Sequence, residues 1–199
     1  MIQTIIEFLV LLSPFALFIY LKPVMQELSH RDFIKVLVKA TVISFAIFFV
    51  FLISGDFIFK QVLSINFEAF RIFGGIIIFS IAYLFIIRGE KGVFQLRSDL
   101  DELASEIALP FLVGAATISL TILMGNNFSP TIGTLLLILI LSINFFSILF
   151  LKYLRDRIKE KKFKVAFDKN MEILLRLNGF FIGAIGINMI IHGINTLYL

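Results

Sequence analysis

The chain has 199 residues, of which 59% are hydrophobic and only 16% charged, and its mean hydropathy is +1.01. Soluble domains carry roughly 25% charged residues, and a core of this size could not cover 25 Phe side chains. The composition therefore excludes a soluble domain and indicates an integral membrane protein. The absence of cysteine excludes disulfide frameworks and Cys-based metal or thiol chemistry.

Apolar segments long enough to cross a bilayer, about 20 residues each, recur along the chain. The first segment lacks the basic n-region and cleavage site of a secretory signal, so we expect it to be retained as a span. The pattern predicts an all-α integral membrane protein, residues 1–199 forming a single transmembrane domain. The six predicted spans are 2–22, 36–55, 69–88, 107–124, 130–151 and 176–197.

The basic residues predict the orientation of these spans. The loops after spans 1, 3 and 5 take four, three and nine of the eighteen Lys and Arg residues, which leaves only Lys60 and Arg71 for the other side. The positive-inside rule then predicts a multi-pass plasma-membrane protein with both termini extracytoplasmic. The basic run 159–164 is interpreted as a topology signal that also contacts anionic lipid, and no nucleic-acid partner is expected.

The two halves of the chain share features in span order. Spans 3 and 6 share Arg-x-x-Gly, at Arg71 and Arg176, with an offset of 105 residues, and spans 1 and 4 share Pro-Phe, at Pro14 and Pro110, with an offset of 96. Three spans per half invert the second half, so the matches predict a 3+3 inverted repeat. Its predicted parts are repeats 1–89 and 105–199, joined by a charged cytoplasmic loop 89–106.

Spans 1 and 4 carry prolines in their apolar interiors. Such a proline removes a backbone hydrogen bond, and two readings stay open: each proline only kinks its helix, or both helices break and their ends form a binding site near the midplane. Under the second reading the expected substrate-binding residues are Ser13, Pro14 and Phe15 in span 1, and Pro110, Gly114, Ala115, Ala116 and Thr117 in span 4.

Ionisable residues are missing from the centres of the spans. This disfavours a relay of buried carboxylates, although the coupling ion, H⁺ or Na⁺, stays open because carbonyls and hydroxyls alone can hold Na⁺. The sequence also lacks metalloprotease, hydrolase and phosphate-loop motifs. We expect neither an enzyme nor a cofactor.

Four segments together resemble the MarC family of six-span membrane proteins: 70–79 (FRIFGGIIIF), 107–114 (IALPFLVG), 176–179 (RLNG) and 190–194 (IIHGI). The resemblance covers essentially the whole chain and implies a 3+3 inverted repeat that transports glycine- or alanine-like substrates. Ser13-Pro14 stands where family members usually carry Asn-Pro, and Gly114-Ala115-Ala116 where they carry Gly-Pro-Gly.

The expected function is secondary transport of small neutral amino acids by alternating access, with the substrate and the lipid bilayer as partners. The alternative is a membrane scaffold or partner subunit that transports nothing. The course of the backbone discriminates between them, because unbroken helices through residues 12–18 and 110–117 would favour the scaffold.

Overall fold

The computed structural model describes residues 1–89, 103–105 and 107–198. Its regular secondary structure is helical, with no strand among these residues, and most of the predicted loop 89–106 lies outside them. Two π-helical turns cover Ile58–Val62 and Ile107–Leu112. The α-helices are α1 Ile2–Leu12, α2 Pro14–Tyr20, α3 Lys22–Glu27, α4 His30–Phe57, α5 Phe67–Arg88, α6 Ala115–Asn127, α7 Pro130–Arg157 and α8 Lys161–Tyr198.

Five stretches of the described chain are long and apolar enough to cross a membrane: Ile2–Tyr20, His30–Gly55, Phe67–Arg88, Pro130–Arg157 and Lys161–Leu197. The predicted fourth span, 107–124, is not among them. The chain divides there into the π-helical turn and α6, whose 13 residues extend about 20 Å, less than the roughly 30 Å of a hydrocarbon core. The protein is a helical integral membrane protein, but the residues that the structure describes contain no sixth continuous span.

The long helices extend beyond the apolar segments that predicted them. The basic stretch 152–175, expected as a loop, is almost entirely helical, because α7 continues to Arg157 and α8 begins at Lys161. Lys, Arg and Glu are good helix formers, so these helices continue past the apolar segment. Hydropathy therefore located five of the six predicted spans as continuous helices and missed the full lengths of the long ones.

The antiparallel pair α5 and α8 forms the most extensive helix contact among the described residues. A Cβ added to Gly75 would lie 2.6 Å from the carbonyl oxygen of Gly186, and one added to Gly179 would lie 3.3 Å from the carbonyl oxygen of Ala82. Backbone contacts this close need small residues, as in other membrane helix pairs. The glycines of the two predicted matching spans therefore pack these helices together.

The buried faces of α5 and α8 repeat with an offset of 104 residues. Buried Phe67, Gly75 and Ile78 correspond in this register to buried Met171, Gly179 and Ile182. The offset of 105 suggested by Arg-x-x-Gly is therefore not the structural register. Accordingly, the two arginines differ: the Arg71 side chain is only 11% exposed, whereas the Arg176 side chain is 43% exposed and donates to the carbonyl oxygen of Ile86 at 2.9 Å.

Helices α4 and α7 correspond with an offset of 100 residues. Each has 28 residues and begins after a serine, Ser29 or Ser129, whose hydroxyl accepts a backbone N–H three residues on. The same offset relates two of their contacts, because Phe33 is equivalent to Gly133 and Leu52 is equivalent to Lys152. Lys152 lies over the Phe33 ring, with its Nζ 5.7 Å from the ring centroid, and Leu52 packs against Gly133.

We expect Gly75→Ala to destabilise the protein by about 1–3 kcal/mol, because the added methyl group would overlap backbone atoms that cannot move aside. The matched control is Gly183→Ala on α8, where an added Cβ meets only the Ala82 Cβ at an ordinary 3.4 Å. Thermal unfolding of both variants in detergent is the measurement. Equal midpoints for the two variants would contradict the close packing of α5 on α8.

Candidate functional site

The first membrane stretch is broken at Ser13. This residue has φ 42° and ψ 79°, the left-handed region, which costs a non-glycine residue about 1–2 kcal/mol. Its backbone N–H closes α1 on the carbonyl of Leu9 at 3.0 Å, and its hydroxyl accepts the N–H of Ala16 at 3.3 Å to open α2. Ser13 thus ends one helix and begins the next.

Pro14 is the physical cause of this break. Proline disfavours helical geometry in the residue before it and has no N–H to donate to the carbonyl four residues earlier, that of Val10. The side chain of Asn178, on α8, supplies the missing donor: its Nδ2 lies 3.1 Å from the Val10 oxygen and 2.8 Å from the Ser13 hydroxyl. One amide therefore donates to two of the polar groups that the break exposes.

The predicted fourth span is broken over a longer stretch. Leu109 is extended at φ −120° and ψ 119°, and Gly114 is extended at φ −125° and ψ 170° before α6 begins. The hydroxyl of Thr117 accepts the N–H of Gly114 at 2.9 Å and lies within 3.1 Å of the carbonyls of Leu112 and Gly114. This break is thus closed from within its own segment.

The two breaks meet at one cavity of about 120 Å³, which is the volume of about four liquid-phase waters at ~30 Å³ each. Two sets of described residues line most of it. From the break in the first stretch come Leu11, Leu12, Ser13, Ala16, Leu17 and Tyr20. From the second break and α6 come Leu112, Gly114, Ala115, Ala116 and Thr117.

The remaining walls of the cavity are apolar. Helix α5 contributes Ile77, Ile78, Ile81, Leu84 and Phe85, and α8 contributes Ile182. The rings of Tyr20 and Phe85 lie 6.0 Å apart. The polar groups are thereby confined to the side on which the helices break.

Most of the predicted site residues surround this cavity. Its lining includes Ser13 and the run Gly114–Thr117, but neither Pro14 nor Phe15. Pro14 acts through the break that it causes, and Phe15 packs against the hydrophobic core. Pro110 belongs to the segment Ile107–Leu112, and its side chain lies outside what the structure describes.

The backbone groups at the breaks carry partial charges of opposite sign. The first N–H groups of α6, at Ala115 and Ala116, have no acceptor within the helix, and a helix N-terminus favours an anion. Leu11 and Leu12 end α1, whose last carbonyls favour a cation. The cavity therefore combines an anion-favouring end and a cation-favouring end without a charged side chain among its described lining residues.

Sequence reasoning missed the role of Asn178. The residue belongs to the Arg176–Gly179 segment, and the signal was an amide among apolar neighbours, but its partners lie 165 and 168 positions away. At the offset of 104 its counterpart in α5 is Gly74, where an added Cβ would lie 3.3 Å from the backbone of Ala115. Equivalent positions therefore contact the two breaks, one with a side chain and the other with a bare backbone.

The profile described as "MarC family integral membrane protein" matches residues 1–198. The chain belongs to the MarC family. This confirms the resemblance read from the sequence segments. The matched region contains both helix breaks and all the described residues that line the cavity.

Three relatives align with this MarC protein over most of its length, all called UPF0056 membrane proteins. The one from Aquifex aeolicus is 26% identical over 98% of this chain and 92% of its own. The one from Pyrococcus horikoshii is 23% identical over 91% and 87%, and YvbG from Bacillus subtilis is 29% identical over 80% and 77%. No solved structure gave a significant match.

We expect Asn178→Ala to loosen the first break, because the Val10 carbonyl and the Ser13 hydroxyl lose their donor. A buried polar group left unpaired costs about 1–3 kcal/mol. Amide hydrogen exchange should accelerate in residues 9–17 of the variant, and its thermal midpoint should fall.

The matched control is Asn188→Ala, which removes an exposed amide from the same helix. Its exchange in residues 9–17 should equal that of the unaltered protein. An Asn178→Ala variant that exchanges like the control would contradict the proposed bracing of the break.

Proposed function

We propose that this MarC protein is a secondary transporter of small neutral amino acids. One observation carries the proposal: a single cavity lies between two helix breaks and is lined both by the first residues of α6, with their N–H groups, and by the last residues of α1, with their carbonyls. A zwitterion has a carboxylate for the first and an ammonium for the second. The hydroxyls of Ser13 and Thr117 add neutral hydrogen-bonding groups, and Ala115 and Ala116 keep the cavity wall small.

The proposed mechanism is alternating access of two inverted repeats. Three correspondences support it: α4 with α7 at an offset of 100, the break at Ser13 with that at Gly114 at an offset of 101, and α5 with α8 at an offset of 104. The contact of Phe33 with Lys152 and the contact of Leu52 with Gly133 also join equivalent positions of α4 and α7 in opposite order. A two-fold axis between the repeats would produce this pairing. In this proposal the region 107–127 acts as the fourth, broken span.

The alternative of a scaffold without transport has less support. A scaffold needs packing surfaces, and the close contact of α5 and α8 would suit it. It does not need two spans interrupted at one cavity, nor polar backbone groups exposed inside a bundle. We therefore favour a transporter over a scaffold or an enzyme.

We also propose the orientation that the basic residues predict, with both termini outside the plasma membrane. The chain has no cysteine, so single cysteines can be introduced without a background. With a membrane-impermeant maleimide on intact cells, Gln3→Cys should react and Lys162→Cys should react only after lysis. The opposite pattern would overturn the orientation and leave the transport proposal standing.

The transport proposal is tested by uptake into liposomes. We expect saturable uptake of labelled glycine, alanine or serine by the full-length protein. Gly114→Leu should reduce it at least tenfold, because a leucine side chain at this lining position competes with the substrate for the cavity. Absence of saturable flux, or flux unchanged in Gly114→Leu, would overturn the proposal.

Ala184→Leu is the matched control for this substitution. It adds a leucine side chain at an exposed position of α8 and should leave uptake unchanged. The same liposomes, given a proton gradient or a sodium gradient separately, identify the coupling ion by which gradient drives accumulation.

A further inference from the structure

Helix α8 carries an exposed face on the side away from its packing against α5. Six exposed residues, at alternating spacings of four and three, form this face, which we call the α8 seam: Leu177, Phe181, Ala184, Asn188, Ile191 and Asn195. The three large apolar residues among them are each exposed over at least half of their surface. A repeat of 3.5 residues is the pattern with which one helix packs along another in a coiled coil.

Asn188 is the polar residue of the seam that lies inside the membrane. A Cβ added to Gly193 would lie 3.2 Å from the carbonyl oxygen of Glu68, whose charged side chain marks the membrane boundary. Asn188 is five residues from Gly193, roughly 7–8 Å deeper along the helix axis, toward the level at which Gly186 packs on Gly75. Its side chain is exposed and therefore faces hydrocarbon in the single chain.

The polar neighbours of Asn188 differ from it in their hydrogen bonds. His192 and Thr196, one and two turns nearer the boundary, bond to each other: the His192 Nδ1 lies 3.2 Å from the Thr196 Oγ1, which donates to the His192 carbonyl at 2.9 Å. Asn188 forms no hydrogen bond with any other residue that the structure describes. Acyl chains offer an amide no partner, so its partner must come from another molecule.

We propose that two copies of this chain pair through the α8 seam, with the two Asn188 amides hydrogen-bonded to each other. Copies inserted in the same orientation are related by a two-fold axis normal to the membrane, so the two α8 helices run parallel and each seam residue meets its own counterpart. An amide has a donor group and an acceptor oxygen of opposite partial charge, so a second Asn188 complements the first. Leu177, Phe181 and Ile191 supply packing surface, and the small Ala184 lets the helices approach.

The pairing does not rest on the proposed transport function. The seam lies opposite Gly179 and Gly186, which contact α5, and away from Ile182, the α8 residue in the cavity lining. Each copy therefore keeps its own cavity, so that association and uptake are separate measurements. A lone polar residue among apolar seam positions also fixes the register and the number of helices, which favours a dimer of specific geometry.

Disulfide cross-linking of the full-length protein in native membranes tests the seam, because the chain has no cysteine of its own. The single-cysteine variants Ala184→Cys and Ile191→Cys should form linked dimers on oxidation. The matched controls are Ile187→Cys and Ile194→Cys, exposed on the same helix but outside the seam. They should cross-link at least fivefold less, because their Cβ atoms lie too far apart across the axis.

Equal cross-linking at all four positions, or none at the two seam positions, would overturn the proposal. Cross-links to a different protein in place of a second copy would overturn it as well.

Substitution of Asn188 tests the hydrogen bond. The dissociation constant of the dimer is measured in lipid bilayers by energy transfer between labelled copies at decreasing protein-to-lipid ratios. Asn188→Leu should weaken association at least fivefold, the effect of losing an interhelical amide pair in a membrane. Asn188→Gln keeps a donor and an acceptor and should restore most of the association.

The control for these substitutions is Asn195→Leu, nearer the membrane boundary, which should leave the dissociation constant nearly unchanged. Association of Asn188→Leu equal to that of the unaltered protein, or monomers of the unaltered protein at every ratio, would overturn the proposal.

Discussion

A backbone carbonyl or N–H that faces the interior of a bilayer must find a hydrogen-bond partner in the protein or in a water-filled cavity, because the surrounding lipid offers none. Pro14 has no N–H and therefore leaves the Val10 carbonyl without its helical donor. Several features around the site compensate for this loss. Ser13 adopts a left-handed conformation that ends α1 and begins α2, and the Asn178 amide donates to the stranded carbonyl. Because Asn178 lies on α8, the break also fixes how α1 and α2 sit against that helix.

The close pairing of α5 with α8 supplies the second constraint. With backbones in contact at Gly75 and Gly186, neither helix can rotate without a clash, so Asn178 on α8 and Ile77, Ile78 and Ile81 on α5 are held in fixed directions. The polar donor therefore faces the first break while the apolar residues face the cavity. The same glycines that allow the packing determine which side chains reach the site.

The sequence was sufficient for the class of protein and for the places where helices break. Composition indicated the membrane, and Pro14 with the Gly114–Thr117 run located both breaks, because proline and glycine act through local backbone chemistry. It was insufficient for register: Arg71 and Arg176 suggested an offset of 105, whereas buried positions follow 104, since burial depends on contacts between distant helices. For the same reason the partnership of Asn178 with Ser13 could not be read from spacing, and hydropathy missed the start of α8 at Lys161 because its first turns are charged.

The unequal treatment of the two breaks has an energetic consequence. In a transporter of inverted repeats, the inward-open and outward-open states arise when the repeats exchange conformations. Equal repeats would make these states equal in free energy. Here the side-chain amide of Asn178 donates a hydrogen bond at the first break. Gly74, the equivalent residue of α5, lies at the second break and has no side chain that could donate one. In the proposed transporter, the conformation in which Asn178 donates to Ser13 should therefore be the resting state, so that a single hydrogen-bonding side chain sets the direction in which the empty protein faces.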